Sequence, residues 1–177
     1  VDVCLCPVHV SAVIGADAFA FLTEDYRLPG VVSGFEPADL LYSILELTEM
    51  TASGQPQLKN EYTRLVKTEG NPAAMALMDQ IFEPSASDWR GLGHIEGSGL
   101  KIRKEYEPWD AGVKFSLKPG AEREIPGCRC AQVIRGVERP ASCPLFGKKC
   151  TPEYPVGPCM VSGEGACAAA YAYGTDV

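Results

Sequence analysis

"VVSGFEPADLLYSILELT", from Val31 to Thr48, decides how the first half of this chain is read. Val31 and Val32 open a short apolar, β-branched run ending at Gly34-Phe35, the pattern of a buried strand. Pro37 then stands where a helix tolerates it best, in the first turn. Leu40, Leu41, Ile44, Leu45 and Thr48 follow with a 3.6-residue period. A strand running straight into a helix is the repeating unit of an α/β protein. The same order appears upstream. Val1 to Cys6 is short, apolar and bounded by Pro7, which suits another buried strand. Ser11 is placed to cap a helix carrying Ile14, Ala18, Phe21 and Leu22 on one face, and Pro29-Gly30 breaks the chain before Val31. Strand–helix–strand–helix predicts a partial parallel sheet of Rossmann-like type, with functional loops at the C-terminal strand ends. His9 and Glu36 both fall at such ends.

Downstream, Asn71-Pro72 opens the most regular helix, with Ala74, Leu77, Met78, Ile81 and Phe82 expected in the core. After Pro84 the pattern changes. Ser87 to Phe115 is rich in glycine and short β-like runs, and Lys118 to Gly127 reads as an exposed turn region. This divides the chain into an α/β half-domain over 1–84 and a small α+β cysteine-rich domain over 85–177. The tail "SGEGACAAAYAYG" predicts a short alanine-rich helix with Ser162 near its start and Gly174 past its end. Neither repeats nor low-complexity tracts are evident.

Composition narrows the function classes. The chain has 177 residues, 46% hydrophobic and 22% charged, as in an ordinary globular protein. A net charge of −7 argues against nucleic acid or an anionic membrane as partner. The longest run without a formal charge, Val3 to Ala16, contains His9 and is too short for a membrane span. The first basic residue is Arg27, so no signal-peptide n-region is present, and a cytoplasmic, reducing compartment is expected. The chain opens without methionine at "VDVCLCPV", which reads as the middle of a strand and implies further chain upstream.

Six of the eight cysteines lie between Cys128 and Cys167. Arg129, Arg135, Arg139, Lys148 and Lys149 stand against only Glu138 in the Cys128–Cys150 stretch, a surplus able to offset a metal–thiolate centre. Zinc modules usually draw ligands from close pairs, yet the sequence contains no C-x-x-C. The compact ferredoxin run is also missing. Neither Cys128 with Cys130 nor Cys4 with Cys6 makes an easy local disulfide. Spacing alone favours a metal centre without naming the metal.

Motifs carry the reading further. Cys128, Cys143, Cys150 and Cys167 are separated by 14, 6 and 16 residues, and around them stand "IRG", "CPLFG", "CTPEYP", "MVSGEGACAA" and "WRGLG". Upstream are "PVHVSAVIG" and "GFEPADLL". Together these resemble the HypD family of hydrogenase maturation proteins. The resemblance implies a 4Fe–4S cluster bound through C-x14-C-x6-C-x16-C, hence by Cys128, Cys143, Cys150 and Cys167. It implies a scaffold on which the Fe(CN)2CO group of nickel–iron hydrogenase is assembled, with a small HypC-like chaperone and a HypE-like cyanide carrier as partners. Such a protein is an accessory cofactor-assembly factor with a redox role rather than a conventional enzyme. The resemblance also places His9 and Glu36 in motifs lining a central cleft, and Glu164 in an E-G-A-C element beside a ligand. His94 has no such support and reads as structural or solvated. Cys130 is expected to pack beside the cluster, with Cys159 a small buried hydrophobe.

The family's G-P-G-C-P-V-C dithiol and G-F-E-T-T element are not found in these residues. Cys4-Leu5-Cys6 is a C-x-C whose bridge is strained, so it reads as two buried strand cysteines rather than a replacement. Val8 is also bulkier than the small residue expected before the histidine. Cluster binding therefore carries over better than full maturation activity. A structural zinc protein, or a fragment that presents a binding surface, is the competing reading.

Overall fold

The computed structural model describes residues 1–89, 92–117 and 125–174. Arg90 and Gly91 of the expected "WRGLG" element, and residues 118–124 of the expected turn region, lie outside the described residues. The chain forms two compact units, Val1–Ile81 and Phe82–Val177. Its class is α/β, with a parallel sheet in the first unit and a small antiparallel sheet in the second.

In the first unit β1 (Cys4–Pro7) leads directly into α1 (Val8–Ile14), and a single 3-10 turn separates that helix from α2 (Phe21–Glu24). Next come β2 (Gly30–Ser33), α3 (Pro37–Ser53), β3 (Leu58–Asn60) and α4 (Pro72–Ile81). The three strands are parallel in the order β1-β2-β3, with Leu5 beside Val31 and Val31 beside Lys59. Adjacent side chains of a strand point to opposite faces, so the two valines of β2 serve two cores. Val32 packs with Cys6, Val8, Ala16 and Val66, while Val31 packs with Leu47 and Met50 of α3. Both valines are fully buried.

Three expectations are corrected here. The first helix begins at Val8 rather than after Ser11, because Pro7 (φ −76) supplies the entry geometry. Ser11 lies inside the helix, fully buried, and its hydroxyl donates back to the Pro7 carbonyl at 2.8 Å. The helix stops at Gly15 (φ 88), which lies against the Thr68–Gly70 backbone where any side chain collides. Ala18, Phe21 and Leu22 therefore belong to separate turns. The face of α3 that meets the sheet is Ser43, Leu47 and Met50, whereas Leu41, Ile44 and Leu45 are exposed. In α4, Leu77 is 56% exposed and Ala74, Met78 and Ile81 are only part-buried. That helix packs on α1 within its unit, and Phe82 already belongs to the next strand.

The second unit opens with a hairpin of β4 (Phe82–Trp89) and β5 (Gly93–Ile102), whose register shifts between Ser85 and Ser87. Then come α5 (Ala111–Lys114), α6 (Cys130–Ile134), α7 (Pro158–Val161) and α8 (Ala166–Tyr173), the last closed by Gly174. Among the described residues no helix is long and apolar enough to cross a membrane.

Cys6, 3% exposed, has its thiol pushed up to about 11, first by burial and then by neighbouring Cys4. An unfolded thiol titrates near 8.5. Below that pH the Cys6 contribution to stability is complete. As pH rises from about 8.5 through 11, the unfolded chain releases this proton first and stability is lost. Urea unfolding under reducing conditions should weaken across this window, and Cys6→Ala should remove Cys6's share of the slope. An unchanged alkaline slope in that variant contradicts the assignment.

Candidate functional site

The core of the second unit is made largely of thiols. Cys130, Cys150, Cys159 and Cys167 are buried together with Val133, Met160 and Ala168, and Cys128 packs against them. Glycines make this possible. A Cβ at Gly157 would sit 2.7 Å from the Cys128 sulfur and collide with the Cys130 sulfur; one at Gly165 would collide with the Cys159 carbonyl. Pro158 then starts α7 and Gly165 caps α8, which sets Cys159 and Cys167 in facing turns. The loop from Cys143 to Cys150 is closed by the Cys150 N–H donating to the Leu145 carbonyl at 2.9 Å and the Gly147 N–H donating to the Cys150 carbonyl at 3.1 Å. Gly147 adopts φ 66 to allow it.

Individual sulfurs have defined neighbours. Cys128 and Cys130 lie 3.4 Å apart, and the Cys159 thiol faces the Cys130 carbonyl at 3.8 Å. The Cys150 sulfur accepts from the Val156 N–H at 3.3 Å, and the Cys143 thiol faces the Gly127 carbonyl at 3.7 Å. Burial raises the thiols of Cys128, Cys130 and Cys159. Cys167 is pushed up to about 11 by burial and then by the charges of Cys130, Cys143 and Cys150, even though it lies in the first turn of α8. Desolvation thus outweighs the stabilisation a helix N-terminus gives a thiolate. Arg129 forms a two-pronged pair with Glu138 at 2.8 Å, so this cation of the basic stretch is already engaged by a carboxylate.

The residues present fit a metal–thiolate centre. Cys128 interacts with Cys130 and Cys143, and Cys167 with Cys130, Cys143 and Cys150, while the Arg129 guanidinium also acts on Cys143. The thiols themselves are a soft donor set suited to iron–sulfur clusters or zinc. Bound cations would reverse the raised thiol pKa values by stabilising the thiolates. Among the described residues no three His, Cys, Asp or Glu side chains converge as a single-ion site. A cluster of several irons instead needs its thiolates spread around it.

A second group of residues lies at the C-terminal edge of the parallel sheet. His9, exposed at the start of α1, stacks on Phe35 with ring centroids 5.7 Å apart. Glu36 is the cap residue of α3. Its carboxylate accepts from the Tyr62 hydroxyl at 3.0 Å and from Arg64 at 3.0 Å, while Arg64 also grips Asp39 at 2.6 and 3.2 Å. The Arg64 guanidinium lies 3.7 Å over the Tyr62 ring, a cation–π contact. Hydrogen bonding to Asp39, then to its own backbone and to Tyr62, holds the Glu36 carboxyl down at about 2. The sheet edge thus brings His9 and Glu36 to neighbouring positions around Phe35. Sequence reading missed Asp39, Tyr62 and Arg64. Tyr62 and Arg64 follow a three-residue strand with no periodic signal, and their only cue is an aromatic and a cation two residues apart.

Gly34 makes room for this network, because a Cβ there would land on the Tyr62 ring and the Asp39 carboxylate. Gly34→Ala should cost about 1–3 kcal/mol of stability by overpacking. It should also raise the Glu36 pKa as Asp39 and Tyr62 move away, read by NMR titration of the carboxyl carbon. Unchanged stability and an unchanged titration would show that the network does not depend on Gly34.

Glu164 is exposed beside Ser162, whose hydroxyl accepts its backbone N–H at 3.2 Å, and Gly165 is the cap of α8. His94 is exposed on β5 between Asp88 (2.7 Å) and Glu96 (3.3 Å), which raise its pKa, Asp88 first.

Fold and site together define a two-unit α/β protein whose second unit is built around thiols. A family described as "HypD: Hydrogenase formation hypA family" matches residues 1–174. The chain belongs to this HypD family. It is 45% identical over 169 residues to the hydrogenase maturation factor HypD of Rhizobium leguminosarum bv. viciae, covering 95% of this chain and 44% of that protein. Identity to the Azotobacter vinelandii factor is 46% over 169 residues, 95% of this chain and 45% of the relative. A putative hydrogenase expression/formation protein of Methanocaldococcus jannaschii is 40% identical over 173 residues, 97% and 48% of the two chains. The chain thus spans a little under half the length of these relatives.

Proposed function

We propose that this chain provides the iron–sulfur portion of a hydrogenase maturation factor. In this reading Cys128, Cys143, Cys150 and Cys167 hold a 4Fe–4S cluster, which supplies one-electron chemistry when bound. The observation that carries it is the 14-6-16 spacing, whose four thiols lie within electrostatic reach of one another in the second unit. Gly157 and Gly165 keep side chains out of that neighbourhood, and the buried core limits access of water. Glu36, held ionised by its hydrogen bonds, and exposed His9 offer a fixed carboxylate and an imidazole at the sheet edge. There they would contact the transient Fe(CN)2CO iron as cargo. Glu164, exposed just before Cys167, is assigned to the same chemistry. A HypC-like chaperone and a HypE-like cyanide carrier complete the assembly, and electron relay to the cargo iron is the redox role.

The test is metal and spectral analysis of protein purified without oxygen. A brown protein with absorbance near about 400 nm that bleaches on reduction supports the reading. A colourless protein holding one zinc per chain overturns it and leaves a structural zinc protein.

A further inference from the structure

We propose that the outer face of α3 is a docking surface, and that its occupant is the part of the family's polypeptide that lies outside these 177 residues. The helix is apolar on two opposite sides. Ser43, Leu47 and Met50 face the sheet and are buried. Leu41, Ile44 and Leu45, at i, i+3 and i+4, lie about 150° around the axis from them at 100° per residue. These three are 69%, 53% and 50% exposed, and Phe35, just before the helix, is 64% exposed. A helix in an ordinary two-layer unit needs one apolar stripe, and one that is apolar on both sides is built to be covered on both. Singly scattered surface apolar residues need no explanation, but a contiguous stripe marks an interface.

Charge decides what covers it. From Pro37 to Ser53 there is no lysine or arginine, and the acidic residues are Asp39, Glu46 and Glu49. Anionic lipid and nucleic acid are therefore poor occupants, and an apolar protein surface is the complementary one. Family membership supplies a polypeptide that could carry such a surface. The match covers only 44% of the Rhizobium relative and 48% of the Methanocaldococcus relative, so more than half of each lies elsewhere. Polypeptide tethered to the same chain acts at a high effective concentration and outcompetes a separate partner for an apolar face of this size. The inference rests on family membership and the geometry of α3, and is independent of what the thiols bind.

The test is carbene footprinting with residue-level mass spectrometry on two proteins, this 177-residue chain and the intact Rhizobium factor. Leu41, Ile44 and Leu45 should label strongly in the short chain at every concentration. The aligned positions in the intact relative should be protected by at least about tenfold, as in a packed interface. Equal labelling in both overturns the proposal. So does protection in the short chain that grows with concentration, which assigns the face to a second copy. Protection in the short chain at every dilution also overturns it, because the face is then covered from within these residues.

Discussion

Serine at Cys128, Cys143, Cys150 or Cys167 is expected to reduce bound iron from about four atoms per chain to near zero in each single variant. Serine at Cys159 should leave the iron content close to the unsubstituted level. Replacing a ligand thiolate by a hydroxyl removes a soft, readily ionised donor and exposes one iron to solvent, and the other three thiols then hold an incomplete centre. Cys159 is 4% exposed and its thiol already faces the Cys130 carbonyl at 3.8 Å, as a small buried side chain does. Cys167 is also buried, its thiol pushed up to about 11 by burial and by neighbouring thiols, and bound cations would stabilise it as a thiolate. Iron and sulfide analysis after anaerobic reconstitution, with circular dichroism to confirm folding, provides the readout. Equal iron loss in all five variants would contradict the ligand assignment.

Hydrogenase activity in a strain lacking its own maturation factor is expected to stay at background when only these 177 residues are supplied. Relaying electrons to a bound iron needs a donor centre and an exchangeable dithiol, and these residues contain no C-x-x-C. Cys4 and Cys6 are the only pair outside the thiol-rich unit. They sit two residues apart on β1, with Cys6 3% exposed and its thiol held protonated to about 11. A thiol so buried and so weakly acidic is a poor nucleophile at neutral pH, and a C-x-C bridge is strained. Supplying the remainder of a longer relative, fused or as a separate chain, should restore activity where the interface on α3 reforms. Robust activity from the short chain alone would show that Cys4 and Cys6 act as the dithiol, and the reading of them as packing residues would fall.

The sequence alone determined the strand–helix–strand–helix order of the first unit, the helix from Pro72 and the alanine-rich helix before Gly174. Each rests on a local signal: β-branched runs, a proline in a first turn, a 3.6-residue period, a glycine at an end. It also set the 14-6-16 cysteine spacing and placed His9 and Glu36 at strand ends, because both follow directly from residue order. What it left open is non-local. Periodicity shows that α3 has apolar residues, but only packing against Val31 decides that Ser43, Leu47 and Met50 turn inward while Leu41, Ile44 and Leu45 face out. Ser11 looks like a cap in one dimension, and becomes an internal tie once Pro7 and the Gly15–Gly70 backbone contact fix both ends of α1. Tyr62 and Arg64 reach Glu36 across 26 and 28 residues, a distance no local pattern encodes. Cys128 and Cys167 likewise meet other thiols only in three dimensions. Their raised pKa values come from burial and from neighbouring thiols, and spacing along the chain reports neither.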